Sequence, residues 1–353
     1  MDYRNSLIEV LPKNSLKLFL SVDIINSTSF KDEYNASQWL PVIQNFHLNF
    51  PENYESEIDS LKGKDDVDEL ETNQIKIWKC LGDEIIFVIN LENIRTDEKV
   101  IYYIFAFLKS LNSYQFTTDD ETVKLDSLGL KGTAWLADFT LCNAVIKVKN
   151  NPFSEDEKYE EDYIGPQMDS GFRIGKYSAH KKFVLSIELA WALLRFFHKD
   201  SDNDLSNLIP IKFYLDTITS LKGVIDSNSY PIIFIILEED EKYLDIEYKI
   251  FNKSSDIRDL YTSCNSFISK YKPNLIPPFT SYDIKYKKVN AKDCKWIYEE
   301  FIKTNNCSQP KEIFTDQPKP KETTNVEELF SLLQKVVKDS QDRNKKKKPK
   351  KAS

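Results

Sequence analysis

Histidine is scarce: His47, His180 and His198 are the whole complement of a 353-residue chain, and they lie far apart. That leaves little material for a histidine-based triad or metal centre, each of which gathers imidazole with other reactive groups. The five cysteines (Cys80, Cys142, Cys264, Cys294, Cys307) are scattered, odd in number and without CxxC or Cys/His spacing. Neither a disulfide framework nor a zinc site is indicated. No run approaches the roughly 18 consecutive apolar residues of a membrane helix, and the opening MDYRNSLIEV lacks the basic and apolar regions of a signal peptide. A cytoplasmic protein with no membrane contact is expected. A basic surface is missing as well. The net charge of −8 and pI near 5.2 argue against nucleic acid as a partner, because phosphate binding is driven by clustered Lys and Arg. What the chain does have is 41% hydrophobic residues, enough for the packed core of one large or two modest domains.

Two carboxylates stand out by their placement. In residues 16–28, LKLFLSVDIINST, Leu16, Leu18, Leu20 and Val22 alternate with Lys17, Phe19 and Ser21, which predicts a strand ending near Asp23. A carboxylate fixed at a strand end beside a turn can hold a hard divalent cation through oxygen; it can equally be an Asx-turn or cap residue before Asn26-Ser27-Thr28. In residues 75–90, IKIWKCLGDEIIFVIN, two strand-like runs flank Gly82-Asp83 and predict a β-hairpin with Asp83 at its tip. Gly-Asp is also a common plain turn. Together, a strand-end Asp and a hairpin-tip Asp on a neighbouring strand are a compact way to build a two-metal phosphoryl site.

The remaining pattern is mixed. Trp39, Ile43, Phe46 and Phe50 predict a helix over residues 35–50, with His47 on its surface, and the acidic, aperiodic residues 51–73 read as a loop. Residues 96–111 predict a second helix with Thr96 as its cap and Ile101, Ile104, Phe105 and Leu108 as its buried stripe. A strand-rich stretch at 128–139, continuing through 145–148, leads to a second acidic loop at 150–163. In the following DYIGPQMDSGFRIGKYS, Gly165-Pro166 precedes a helix that puts Asp169 and Arg173 four residues apart on one face. Such a pair is by default a surface ion pair worth about a few tenths of a kcal/mol. A short strand at 182–186 and an apolar helix at 187–197 follow, then strands at 209–215, 231–237 and 248–251 and helices at 257–271 and 291–303. Past residue 307 a Pro- and Lys-rich linker, a short amphipathic helix at 326–337 and the basic tail KKKKPKKAS complete the chain.

This order of elements, with VDIINST, KCLGD and the Asp169/Arg173 helix, resembles a class III nucleotidyl cyclase domain over roughly residues 15–197. The resemblance implies an α+β fold, a ferredoxin-like palm with a C-terminal α/β extension. The corresponding boundaries are an N-terminal segment 1–14, cyclase domain 15–200, extension 201–306 and linker, helix and tail 307–353. It further implies that Asp23, Asp83 and the backbone carbonyl of Ile24 hold two Mn²⁺ or Mg²⁺ ions per site. Lys79 and Asp162 would contact the base, and Asp169 and Arg173 would act on the transition state. The family has Asn at most counterparts of Asp169. With KGTAWLADF and LKGVIDSNSYPIIFI included, the chain is most similar to the pyrimidine cyclases of Pycsar antiphage defence operons. That implies cyclic UMP from UTP, favoured slightly over cyclic CMP from CTP, made by a head-to-tail homodimer with composite sites and read by a separate effector protein. Lys79 and Asp162 alone leave ATP open, since they can read adenine too. A cyclase-like domain without activity, acting as a nucleotide sensor, is the reading from another class; a palm-type polymerase or diguanylate cyclase lacks support, as no GGDEF-like hairpin occurs.

Overall fold

The computed structural model describes residues 8–9, 16–61, 72–91, 96–139, 143–149, 159–199, 210–225, 229–243 and 256–271. The chain divides into units Met1–Val289 and Asn290–Ser353, and every described residue belongs to the first. The expected strand at 248–251, the helices at 291–303 and 326–337, the linker and the basic tail lie outside the described residues.

The elements run β1 (Ile8–Glu9), β2 (Leu16–Ile25), α1 (Ser27–Glu33), α2 (Ala36–Leu61), β3 (Ile75–Leu81), β4 (Glu84–Asn90), α3 (Thr96–Ser113), β5 (Gly129–Asp138), β6 (Ala144–Lys149) and β7 (Tyr159–Ile164). They continue with α4 (Pro166–Ile174), a 3-10 turn (Gly175–Tyr177), β8 (Phe183–Leu185), α5 (Ile187–Lys199), β9 (Ile211–Ser220), β10 (Ser229–Leu237) and α6 (Ile257–Tyr271). Seven strands form one sheet in the order β3-β4-β2-β5-β8-β10-β9. Within it β3, β4, β2 and β5 are antiparallel neighbours, joined through α2 and α3, which is the ferredoxin-like βαββαβ arrangement. The fold class is therefore α+β, as expected. Strand β8 pairs parallel to β5, and the hairpin β9–β10 extends the same sheet beyond it.

The alternation along β2 decides what each face of the sheet carries. Leu18, Leu20 and Val22 are fully buried in the cluster that holds Phe46, Phe50, Tyr54 and Ile58 of α2 and Ile101, Ile104 and Phe107 of α3. The other set, Phe19, Ser21 and Asp23, faces the opposite side. There Phe19 stacks on Trp135 of β5 with centroids 5.3 Å apart, in a smaller cluster with Ile86, Val88, Tyr163 and Met168. That second face is roofed by α4 and by a separate three-stranded sheet of order β1-β6-β7.

Three sequence-based boundaries move. The loop expected at 51–73 begins only after Leu61, because α2 runs on through Pro51. Tyr54, Ile58 and Leu61 continue the spacing of Phe46 and Phe50, so burial of that stripe outweighs the bond that the proline removes. The acidic stretch expected as a loop ends in β7, whose Tyr163 is buried while Glu160 and Glu161 stay exposed. Finally, β6 does not continue β5: it pairs with β1 and β7 in the second sheet.

Candidate active site

Asp23 sits opposite Glu84 of β4 on one side and Lys131 of β5 on the other. Paired residues in adjacent strands point to the same face, so the three side chains meet, and Lys131 Nζ lies 2.9 Å from Asp23 Oδ2. Asp83 occupies the two-residue turn between β3 and β4, where its backbone carbonyl accepts a 3.3 Å hydrogen bond from Ile24 N–H. The structure thus brings the two predicted carboxylates to adjoining strand ends. Asp83 is held further by a short hydrogen bond from the Ser27 hydroxyl and by Lys31, 3.5 Å away. From below, His47 of α2 reaches the turn, its Nε2 lying 2.8 Å from the Gly82 carbonyl. A carbonyl only accepts, so that nitrogen carries the proton. His47, half-buried at the surface of α2, also braces the Asp83 turn.

Glu84 accepts a 2.5 Å hydrogen bond from Ser21. Burial pushes its carboxyl above the ordinary range, the Ser21 bond offsets part of this, and the neighbouring Asp23 charge adds to the rise. A cavity of about 260 Å³ opens over these groups, lined by Asp23, Glu84, Lys131, Trp135, Gly171 and Phe172 among others. Its floor is the polar end of the sheet, and its wall is α4. Among the described residues no group of three or more acidic, cysteine or histidine side chains is gathered closely enough to hold a metal by itself. Asp23 and Asp83 nevertheless suit a hard cation in donor type. They are anionic oxygens at adjoining backbone ends, each facing one partly exposed lysine head, Lys131 at Asp23 and Lys31 at Asp83.

The remaining predicted residues form two further groups. Lys79 Nζ lies 2.7 Å from Asp162 Oδ1, an ion pair that ties β3 to β7. A bulge between Ile77 and Lys79 turns both Trp78 and Lys79 toward the Phe19–Trp135 side, leaving the ammonium 4.7 Å from the Trp78 ring centroid. Trp78 also donates to the Glu161 carbonyl at 3.2 Å and meets Tyr163 and Phe172 edge-on or tilted. On α4, Arg173 Nη1 donates to the Asp169 backbone carbonyl at 2.8 Å and lies 3.6 Å from the Asp169 carboxylate, which is itself largely exposed. Arg173 does not line the cavity over Asp23, although its neighbours Gly171, Phe172 and Gly175 do.

Sequence reading missed Glu84, Lys131, Ser21 and Thr133 at this site. The strand alternation did place Ser21 on the face of Asp23, but Lys131 and Glu84 are brought there by register across three strands, which no local pattern encodes.

No protein-family model and no curated protein matches the chain. Solved structures do resemble it. The adenylyl cyclase CyaB from P. aeruginosa is 11% identical at a TM-score of 0.40, over 63% of this chain and 94% of that one. The guanylate cyclase domain of RhGC from Catenaria anguillulae, in complex with GTP, is 9% identical at a TM-score of 0.41, over 64% and 98%. The guanylyl cyclase Cya2 is 12% identical at a TM-score of 0.40, over 63% and 91%. The case for a function rests on the residues themselves.

Proposed function

We propose that the protein is a pyrimidine nucleotide cyclase. It converts UTP, or less readily CTP, to the 3′,5′-cyclic monophosphate and diphosphate, as a second messenger read by a separate effector protein in antiphage defence. The observation that carries the cyclase reading is the meeting of Asp23 and Asp83 at adjoining strand ends, beside a cavity walled by the helix that bears Asp169 and Arg173. The pyrimidine branch and the defence role rest on the motif resemblance.

In the reaction the ribose 3′-oxygen attacks the α-phosphorus, the O3′–P bond forms, the bond from phosphorus to the diphosphate oxygen breaks, and the 3′-hydroxyl proton passes to water. Asp23, Asp83 and the carbonyl of Ile24 would hold two Mn²⁺ or Mg²⁺ ions, which when bound neutralise the nucleophile and the leaving group. Lys79 and Asp162 offer a donor and an acceptor to a base edge once their mutual ion pair opens. Arg173 supplies a guanidinium for phosphoryl oxygens, and Asp169 holds that guanidinium on its helix. Arg173 is not among the residues that line the cavity over Asp23, and the resemblance to class III cyclases implies that the two halves of one site come from two chains. A head-to-tail homodimer, with Arg173 of each subunit serving the carboxylates of the other, completes the site.

The test is to incubate the purified protein with each of the four ribonucleoside triphosphates and Mn²⁺ and identify products by mass spectrometry. Cyclic UMP or cyclic CMP is expected, with loss of roughly 100-fold or more in Asp83→Ala. Cyclic AMP would keep the site and overturn the pyrimidine branch. No product from any triphosphate would leave the nucleotide-sensor reading.

A further inference from the structure

The β9–β10 hairpin lies beyond the palm, and its near end reaches the arginine of α4. Residues 221–224 form a turn closed by a 3.1 Å hydrogen bond from Val224 N–H to the Leu221 carbonyl, with Gly223 in the left-handed region at φ +74°. Glycine at the third position of such a turn is what a type II geometry demands. The turn is anchored, not free: Leu221, Val224 and Ile225 are all buried in the main core. A methyl group placed on Gly223 would lie 3.6 Å from Arg173 Nη2. So the guanidinium is bonded on one side, through Nη1 to the Asp169 carbonyl, and on the other the Gly223 turn passes beside Nη2, close enough that an added methyl would just touch it.

A second tie acts on the same place. The Tyr177 hydroxyl, in the 3-10 turn directly after α4, donates to Thr219 Oγ1 of β9 at 3.2 Å. Lys182, just before β8, pairs with Asp216 of β9 at 2.5 Å, both largely buried. The segment 216–224 therefore grips the chain on the C-terminal side of Arg173, where a helix end would otherwise fray.

We infer that this turn is the positioning element for Arg173, with Gly223 fixing the guanidinium's direction and Tyr177–Thr219 fixing the helix end that carries it. The inference rests on the cyclase reading for its catalytic consequence, though the contact stands on geometry alone. Gly223 and Tyr177 touch no reacting atom in this account; they act through Arg173.

The experiment is a double-mutant cycle on the full chain, combining Tyr177→Phe and, separately, Gly223→Ala with Arg173→Ala. The Tyr177→Phe change leaves the backbone alone, so it guards against a folding failure in Gly223→Ala, and thermal melting checks both. Each single variant should lose about 10- to 100-fold in kcat with little change in KM, as expected for a misplaced transition-state group. In the Arg173→Ala background the same changes should cost almost nothing further. A parallel readout needs no activity: modification by phenylglyoxal, mapped to Arg173 by peptide mass spectrometry, should run several-fold faster in both variants than in the unaltered chain. Additive losses in the cycle together with unchanged Arg173 labelling would overturn the inference. An unaltered chain that makes no cyclic nucleotide, while the variants still expose Arg173 to the reagent, would overturn the cyclase reading and uphold the positioning contact.

Discussion

Glu188, in the first turn of α5, is a carboxyl group sealed in the core with neither oxygen in a well-formed hydrogen bond. Burial raises its pKa from an ordinary 4.5 to about 7, although the Ser186 and Gln167 side chains near it offset part of that rise. The buried Tyr230 hydroxyl, which accepts a 2.9 Å hydrogen bond from Ile187 N–H, is pushed up by its own burial and then by Glu188. The sign of the linkage follows. Between pH 4.5 and 7 the unfolded chain releases the Glu188 proton while the folded chain keeps it, so stability falls across that window and levels off above it. The penalty at pH 8 is on the order of 3 kcal/mol. Glu188→Gln should therefore melt higher than the unaltered chain at pH 8 and no higher at pH 4.5, a comparison that calorimetry at the two pH values makes directly. Equal melting differences at both would remove Glu188 as the cause. At this same scale Asp23 and Asp83 were legible in the sequence, because strand alternation and a Gly-Asp turn are local signals. The burial of Glu188 was not legible, since a charged residue in an apolar helix reads as its solvated face.

At the scale of elements, α4 is the piece on which the site's geometry depends, and one contact sets its distance from the sheet. A methyl group at Gly171 would fall 2.4 Å from Trp135 Cδ2, and Trp135 is itself buried and stacked on Phe19, with no room to retreat. Gly171→Ala should thus lift α4 from β5, costing about 1–3 kcal/mol of stability and displacing Arg173 along with the helix. Thermal melting measures the first effect, and cyclase assay against the same protein measures the second. A variant with unchanged stability would mean that α4 slides without penalty. The helix was visible in the sequence through Gly165-Pro166 and the Asp169/Arg173 spacing, but its closeness to Trp135 was not, because a glycine chosen for approach looks like any other glycine until its neighbour is known. The same holds for α2. Its apolar stripe runs on as Tyr54, Ile58 and Leu61, and Pro51 together with the surrounding acidic residues hid that period from a local reading.

On the scale of the whole molecule, the carboxylates and the arginine belong to one chain yet face different ground: Asp23 opens to the cavity, and Arg173 points to the Gly223 turn. Leu81 in β3, Ile164 at the end of β7 and Phe172 on α4 are 48%, 47% and 43% exposed, scattered singly as surface apolar residues commonly are. In the proposed head-to-tail dimer each of the two sites takes its carboxylates from one subunit and its arginine from the other, and this makes inactivating changes complementary in trans. Asp83→Ala and Arg173→Ala should each fall by roughly 100-fold or more as homodimers. Co-expressed in equal amounts, they should form mixed dimers half the time, each with one intact site and one doubly damaged site, so the preparation should recover about a quarter of full activity. Differently tagged subunits allow the mixed dimer alone to be purified, and its activity should then be about half that of the unaltered dimer. If the purified mixed dimer stays as dead as its parents, the two groups serve the same subunit and the composite site is wrong; if the active species sediments as a monomer, a single chain must bring Arg173 across to Asp23, and the Gly223 contact would have to break to let it go.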